Sequence, residues 1–219
     1  MSSVTSEGRL PASMRLNALL AKAGLEPLDS ALASRFDDYL SLLVRWNARI
    51  NLTAIRAEDG ILSRHFVESI ACARALPVGI TTLLDFGSGA GFPGVPIALC
   101  RPEIAVTLAE SQGKKAAFLR EVVRNLGLST KNHSGRAELL TDRFDCVTLR
   151  AVDRMPQAVR AAAGLVSQRG WLAIMTTQAE LEALHTAIGE SFNWQAPVPL
   201  AGSDSGLLAL TQSRIGSSV

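Results

Sequence analysis

A strand-like apolar segment, Leu83–Phe86, runs straight into a turn that has glycine at every second position. Gly87, Gly89 and Gly91 form this pattern. Glycine lacks a Cβ and tolerates positive φ, so the backbone of such a turn can lie flat against a ligand. A strand, a glycine-rich turn and a helix in this order are typical of a nucleotide-type cofactor site at the carboxyl edge of a parallel sheet. The identity of that cofactor therefore decides what the protein does.

Hydrophobic periodicity divides the chain into two parts. Residues 13–76 carry apolar side chains at helical spacing and show no strand-like alternation, whereas strands and helices alternate after Pro77. We therefore predict an all-helical N-terminal extension at 1–76. A Rossmann-like, doubly wound α/β domain is predicted at 77–219. The polar residues 1–12 are expected to fray.

The individual elements follow from the same patterns. Strands are predicted at 81–86, 104–109, 144–149 and 171–175, near 130–135, and twice within 194–210 around a Gly202–Gly206 turn. One helix is predicted after an Asp29-Ser30 cap, and its apolar face consists of Leu32, Phe36, Leu40, Leu43 and Val44. Further helices are predicted at 60–76, 93–100, 115–126, 154–166 and 178–189.

The composition indicates a soluble globular protein without a metal site. Of 219 residues, 47% are hydrophobic and 19% are charged, and the net charge of +2 neither requires nor excludes a nucleic-acid partner. Cys72, Cys100 and Cys146 are too scattered to suggest zinc ligands. No apolar run approaches the roughly 20 residues that span a bilayer, and the N-terminus lacks the apolar region of a signal peptide. We expect a cytoplasmic protein.

Two cofactor classes compete for the glycine-rich turn. The segment Gly89–Gly94 formally matches GxGxxG, which leaves a nicotinamide-dependent oxidoreductase as an alternative. Pro93 and Pro96, however, remove backbone N–H donors where a bound pyrophosphate would need them. Asp85 stands two positions before the first glycine, an arrangement that resembles the first motif of S-adenosylmethionine (AdoMet)-dependent methyltransferases. Glu110 ends the next strand and could accept both ribose hydroxyls of either cofactor.

The wider block Leu84–Pro96 resembles the bacterial 16S rRNA guanine-N7 methyltransferase family, also called the glucose-inhibited division protein B family. Four further segments between residues 40 and 155 resemble this family in the same order: Trp46-Asn47 with Asn51-Leu52-Thr53, Arg64–Ser69, Glu110–Leu119 and Leu149-Arg150-Ala151. The glycine block alone would indicate only a methyltransferase, whereas the combination is specific to this family.

The resemblance implies a class I fold and the transfer of a methyl group from AdoMet to N7 of one guanine in the decoding-region loop of 16S rRNA. The implied partner is 16S rRNA or the small ribosomal subunit, and we expect a monomer without a metal ion. The residues expected to bind AdoMet, from the glycine pattern, the strand-end carboxylate and the matched motif positions, are Gly87, Gly89, Phe92, Glu110, Ala137, Glu138 and Arg150. The pair Ala137-Glu138 would flank the adenine.

Basic residues are the candidates for RNA contact, and each group could equally be a solvated face. The residues assigned to RNA are Arg64, His65, Lys114 and Lys115. They belong to two charged groups: Arg45, Arg49, Arg56 and Arg64 near Trp46, and Lys114, Lys115, Arg120 and Arg124 along one helix. Trp46 is interpreted as a core residue, and His133 and His185 as surface residues.

Two departures from the family pattern stand out. Gly113-Lys114-Lys115 replaces the usual Gly-Lys-Arg, and Met175-Thr176-Thr177 contains no lysine where the family tends to carry one. An RNA contact or an orienting role of that lysine therefore has no counterpart residue in this segment. Guanine N7 has an in-plane lone pair, so its methylation needs no general base, and we nominate none. A non-catalytic RNA-binding or ribosome-assembly protein remains the alternative from a different class.

Overall fold

The strands assemble into one mixed β-sheet with helices on both faces. The computed structural model describes residues 10–214. The strands are β1 (Thr82–Phe86), β2 (Ala105–Ala109), β3 (Lys131–His133), β4 (Phe144–Arg150), β5 (Val166–Thr177), β6 (Phe192–Trp194), β7 (Val198–Pro199) and β8 (Gly206–Ser213). The helices are α1 (Ala12–Lys22), α2 (Ser30–Asn47), α3 (Glu58–Ile61), α4 (Glu68–Ala75), α5 (Gly94–Cys100), α6 (Gly113–Asn125), α7 (Met155–Ala163) and α8 (Leu181–Ile188), with a π-helical turn, Leu62–Val67, between α3 and α4.

The strand order creates a binding position at the carboxyl edge of the sheet. The order is β3-β2-β1-β4-β5-β8-β6, with β7 also paired to β8. Strands β1 to β5 are parallel, whereas β8 runs antiparallel to β5, and β6 and β7 run antiparallel to β8. The chain moves outward from β1 to β3 and then crosses to β4 on the other side of β1. Ligands of such sheets bind where the order reverses. The predicted Rossmann-like, doubly wound fold is confirmed.

Two hydrophobic clusters pack on opposite faces of the sheet. Leu83 of β1 belongs to the first cluster and its neighbour Leu84 to the second, as strand alternation requires. The first cluster includes Phe36 of α2, Phe66 of the π-helical turn and Phe118 of α6. One continuous core therefore joins the N-terminal helices to the sheet. The division of the chain at residues 76 and 77 stays a prediction.

The helix boundaries largely follow the sequence signals. Asp29 caps α2 as predicted, because its Oδ1 accepts the backbone N–H of Leu32 at 2.8 Å. The predicted helix over 60–76 is instead two α-helical segments joined by the π-helical turn. Residues 1–9 of the predicted frayed segment lie outside the described residues, and α1 begins at Ala12.

The C-terminal third differs from the prediction in its strand boundaries. β5 begins at Val166 rather than 171, and α7 ends at Ala163 rather than 166. A polar stretch with Arg169 at φ 60° interrupts the apolar pattern of β5, and its register with β4 shifts. β8 continues to Ser213, past the predicted end at 210. Because the irregularity in β5 breaks the apolar pattern, the sequence predicted only the second part of that strand, 171–175.

Candidate active site

The glycine-rich turn after β1 has the conformation that its sequence predicts. Gly87, Gly89 and Gly91 have φ of 72°, 56° and 93°, a region that residues with a Cβ rarely adopt. The buried hydroxyl of Tyr39, from α2, donates a hydrogen bond to the carbonyl of Ala90 at 2.6 Å. A Cβ added to Gly91 would lie 2.6 Å from that hydroxyl oxygen. An N-terminal helix therefore holds the turn from behind.

Asp85, the acidic residue of the motif, is buried beneath the turn. Its Oδ2 accepts the backbone N–H of Gly94 at 3.1 Å, and its Oδ1 accepts the hydroxyl of Thr148 at 3.0 Å. A Cβ on Gly94 would lie 2.5 Å from Asp85 Oδ2. Burial, opposed by these hydrogen bonds, raises the pKa of Asp85 to about 6. Asp85 thus links β1 to the start of α5 and to β4.

Glu110 follows β2 and presents its carboxylate beside the turn. Oε2 accepts the N–H of Gly89 at 2.9 Å, and Oε1 accepts the N–H of Gln112 at 2.7 Å. The side chain is buried, so its orientation is fixed from two directions. Each carboxylate oxygen has a second lone pair, which leaves acceptor capacity for the two hydroxyls of a ribose.

A cavity of about 400 Å³ lies between the ends of β1, β2 and β4, a volume typical of small-molecule sites. It is lined by Leu52, Thr53, His65, Gly87, Ser88, Gly89, Ala90, Phe92, Glu110, Ser111, Gln112, Lys115, Arg150, Ala151, Val152 and Asp153. We call it the cofactor cavity. It brings together most of the site residues predicted from the sequence, from segments that are far apart along the chain.

His65 forms one wall of the cofactor cavity. Its ring stacks on Phe92 with a centroid distance of 4.7 Å, and its Nε2 lies 2.7 Å from Thr53 Oγ1. Burial, together with the positive charges of Arg150 and Arg64, lowers the pKa of His65 to about 3. The imidazole is therefore neutral at physiological pH. His65 therefore presents to the cavity a flat, uncharged ring that can form hydrogen bonds.

Arg150 closes the cavity at the end of β4. Its guanidinium donates to Glu68 Oε2 at 2.6 Å and to Ser69 Oγ at 3.4 Å, and also bonds to the carbonyl of Arg64. Burial lowers the pKa of Arg150, and the charge of Glu68 opposes this effect. Arg64 itself is exposed, pairs with Glu68 at 3.1 Å and does not line the cofactor cavity.

The pair predicted to flank the adenine lies just outside the cavity lining. Ala137 and Glu138 are in a short 3-10 turn after β3. Ala137 is buried in the same cluster as Phe86 and Ala109, whereas Glu138 is exposed. Neither lines the cofactor cavity. Their contact with adenine stays a prediction.

Several lining residues were not assigned from the sequence. Ser111 and Gln112 directly follow Glu110, and Val152 and Asp153 directly follow the Arg150 motif, so their proximity to predicted residues was the available signal. Thr53 reaches the cavity from the loop after α2. No periodicity in the sequence indicates that this loop folds over the ends of the strands.

Other aromatic and histidine assignments have clear outcomes. Trp46 packs edge-on against Phe118, and its Nε1 donates to Glu121 at 3.1 Å, which confirms a packed residue and not a free stacking platform. His185 is exposed and stacks on Trp194, as expected for a surface residue. Within residues 10–214, no cluster of histidine, cysteine or acidic side chains could hold a metal ion. No helix in this range is long and apolar enough to cross a membrane.

Relatives of this chain share most of its length. A protein of Stenotrophomonas maltophilia (strain K279a), named ribosomal RNA small subunit methyltransferase G, is 43% identical over 78% of this chain and 80% of its own length. A protein of the same name from Halorhodospira halophila is 37% identical over 86% of this chain and 91% of its own length. Neither relative is named as an oxidoreductase or as a non-catalytic binding protein.

Two solved structures illustrate the fold that this chain shares with other proteins. A Pyrococcus horikoshii TYW2 structure in complex with MeSAdo superposes with a TM-score of 0.57 at 12% identity, covering 68% of this chain and 63% of that one. A ribosomal protein L11 methylase from Lactobacillus delbrueckii gives a TM-score of 0.55 at 12% identity, covering 68% and 77%. At these identities the similarity concerns the fold alone.

The residues of the site fit AdoMet. The turn of Gly87 and Gly89 leaves space that side chains would fill, Glu110 offers fixed acceptors for a ribose, and the proline at the start of α5 removes a donor that a phosphate would need. The sequence model of the rRNA small subunit methyltransferase G family matches residues 32–196. The chain therefore belongs to the rRNA small subunit methyltransferase G family, as its sequence predicted, and AdoMet is its methyl donor.

Proposed function

We propose that this enzyme transfers the methyl group of AdoMet to N7 of a guanine in the decoding-region loop of 16S rRNA. The observation that carries the proposal is the carboxylate of Glu110, fixed by two backbone N–H groups beside a glycine-rich turn at the switch point of the sheet. This arrangement suits a nucleoside ligand. Family membership supports the RNA substrate.

The chemistry makes few demands on the side chains. AdoMet supplies an activated methyl group, and guanine N7 attacks it with a lone pair that carries no proton. The protein therefore needs to align the base with the methyl carbon and the sulfur, an effect that can contribute several kcal/mol. Rigid walls such as the stacked His65–Phe92 pair suit this role.

The product is a base with a positive charge, and the cavity is lined by two carboxylates and by two cations, Lys115 and Arg150. The neutral state of His65 avoids repulsion between an imidazolium and the methylated guanine. Glu110 and Asp153 are the carboxylates among the lining residues. Asp153 follows β4, where its negative charge can stabilise a developing cation electrostatically.

The remaining expectations are part of the same proposal. We infer that the enzyme acts in the cytoplasm as a monomer, where its ribosomal substrate would be found. Arg64, His65, Lys114 and Lys115 are proposed to contact RNA. Of these, His65 and Lys115 line the cofactor cavity, while Lys114 and Arg64 line neighbouring cavities.

The test is methyl transfer to small ribosomal subunits that lack the modification. The purified protein is incubated with radiolabelled AdoMet, and the RNA is then cleaved chemically at N7-methylguanine. We expect label at a single guanine of the decoding-region loop. Gly87→Asp should abolish labelling, because it places a Cβ at positive φ, about 3.2 Å from Val152, and adds a carboxylate to the cavity.

Free 16S rRNA serves as the second substrate, and the melting temperature of Gly87→Asp shows whether the variant is folded. Absence of label in both substrates, with AdoMet binding intact, would contradict the proposed substrate. Label on another atom or another nucleotide would contradict the proposed specificity.

A further inference from the structure

A second cavity, of about 410 Å³, adjoins the cofactor cavity on the side of α6. The two cavities share Gln112 and Lys115 in their linings. The other lining residues of the second cavity are Asn47, Ala48, Arg49, Ile50, Asn51, Arg56 and Lys114. We call it the basic cavity. Nothing in the chemistry of methyl donation requires it.

The basic cavity concentrates positive charge without compensation. Arg49 and Arg56 come from the loop region after α2, and Lys114 and Lys115 from the first turn of α6, more than 50 positions later in the sequence. No aspartate or glutamate lines the cavity. Within residues 10–214, no carboxylate pairs with Arg49, Lys114 or Lys115. Like charges repel when they converge, so this arrangement favours an anionic ligand.

The loop that carries the two arginines is ordered by its own hydrogen bonds. Buried Asn47 accepts the N–H groups of Leu52 at 3.0 Å and Thr53 at 3.1 Å through its Oδ1. Arg56 donates to the carbonyl of Asn47 at 2.6 Å and to Asn51 Oδ1 at 2.5 Å. The cavity wall is therefore formed before any ligand arrives, which lowers the entropic cost of binding.

A third cavity, of about 230 Å³, adjoins the cofactor cavity on the opposite side and has different chemistry. It shares Arg150 and Ala151 with the cofactor cavity but also contains Glu68 and Glu180. Its two arginines are already paired with Glu68. A phosphate in the third cavity would lie close to carboxylates. An anion should therefore bind in the basic cavity in preference to the third cavity.

We infer that the basic cavity binds a backbone phosphodiester of the RNA strand whose target base enters the cofactor cavity. The inference rests on the proposed function and adds a direction to it. The phosphodiester lies over the loop after α2 and the start of α6, and not in the third cavity. Of the residues proposed to contact RNA, Lys114 and Lys115 would therefore bind this phosphate, and Arg64 would not. A phosphodiester and a free phosphate share the same recognition chemistry, so the experiment must distinguish the two sources.

The test uses the double substitution Arg49→Gln with Lys114→Gln, because both side chains are exposed and neither lines the cofactor cavity. Affinity for the small subunit or its RNA is measured as a function of salt concentration. Two lost phosphate contacts should reduce the slope of log K against log salt by about 1.4, or about 0.7 for each contact, and weaken binding roughly tenfold at low salt. AdoMet affinity should change less than about twofold.

The matched control is Lys22→Gln with Lys131→Gln, which removes the same charge from exposed positions outside the basic and cofactor cavities. It should leave the slope unchanged. An unchanged slope in the Arg49/Lys114 variant would overturn the inference. If only the function were wrong, the wild type would still show the salt-dependent RNA binding but would leave guanine N7 unlabelled.

Inorganic phosphate is the second probe. We expect phosphate to compete with RNA only weakly. At equal ionic strength, phosphate and chloride should weaken RNA binding to the same extent. Specific phosphate binding that the double variant abolishes, with no change in the RNA slope, would assign the cavity to free phosphate and overturn the RNA assignment.

Discussion

The turns that follow β1 and β2 each begin with a buried carboxylate, yet the two carboxylates serve different purposes. Asp85 turns inward, where both of its oxygens bond to groups of the scaffold and none of it lines the cofactor cavity. Glu110 turns toward the cavity and is oriented by two backbone N–H groups. The same residue class, one strand apart, supports the fold in one turn and lines the cofactor cavity in the other.

The two carboxylates lie at the same edge of the sheet but should affect different properties. We expect Asp85 to affect the stability of the protein and Glu110 to affect ligand binding. A carboxylate that accepts bonds from a helix start and from a neighbouring strand affects the free energy of unfolding. A carboxylate with acceptor capacity facing a cavity affects the free energy of binding. Substitutions at the two positions should therefore have separable effects.

The largest expected effect is on AdoMet affinity in Glu110→Ala. The dissociation constant should rise at least about 100-fold, because two hydrogen bonds from ribose hydroxyls to a charged acceptor are lost, at roughly 1.5–3 kcal/mol each. Isothermal titration calorimetry measures this change. Glu26→Ala, an exposed glutamate outside the cavity lining and outside the predicted AdoMet-binding residues, is the control. Equal affinities of Glu110→Ala and the wild type would remove Glu110 from the binding site.

The next effect is the pH dependence of stability in Asp85→Asn. The folded-state pKa of about 6 lies above the ordinary 3.8, so the folded protein binds a proton more readily than the unfolded chain. This carboxyl therefore adds stability as pH falls from about 6 to about 4, and the contribution is lost as pH rises through 6. Over this window, the wild type should gain about 3 kcal/mol relative to Asp85→Asn, at about 1.4 kcal/mol for each pKa unit.

Urea unfolding at several pH values between 4 and 7 measures this difference. AdoMet affinity of Asp85→Asn at pH 7.5 serves as the control and should stay within about fivefold of the wild type, since the amide can keep the bond to Gly94. Parallel stability profiles of the two proteins would show that Asp85 does not titrate in the window, and a large loss of affinity without a loss of stability would reverse the roles of the two carboxylates.

The smallest effect is expected for Tyr39→Phe. The substitution removes the hydroxyl that donates to the Ala90 carbonyl while keeping the ring stacked on Phe66 at 5.2 Å. Unfolding free energy should fall by about 1 kcal/mol, the typical contribution of one hydrogen bond, and AdoMet affinity should fall several-fold as the turn loosens. Denaturation and calorimetry on one sample measure both. A change in stability alone would mean that the turn keeps its shape without the bond.

The strand–turn–helix pattern predicted the sheet and the position of the cofactor cavity because these features depend on local residue order. Gly87, Gly89 and Glu110 were predicted at the carboxyl edge, and the structure places them there. The inward role of Asp85 was not predictable. It depends on Gly94 and Thr148, and Thr148 comes from a strand 63 positions away.

The basic cavity shows a second limit of sequence interpretation. The arginines after α2 and the lysines of α6 were equally compatible with solvated faces, because no local pattern states which charged groups converge. Likewise, the neutrality of His65 arises from burial and from Arg150, which lies 85 positions further along the chain. Long-range packing, and not propensity, determines both properties.

The hydrogen bond from Tyr39 to the carbonyl of Ala90 links the stability of the glycine-rich turn to the packing of α2 against the sheet. Since the turn that faces the cofactor is held by a side chain of α2, any ligand that stabilises the turn also stabilises the docking of α2 against the sheet. The α2 helix leads directly into the loop that carries Arg49 and Arg56. Binding of the methyl donor is therefore expected to stabilise the loop that forms one wall of the basic cavity, because both depend on the packing of α2.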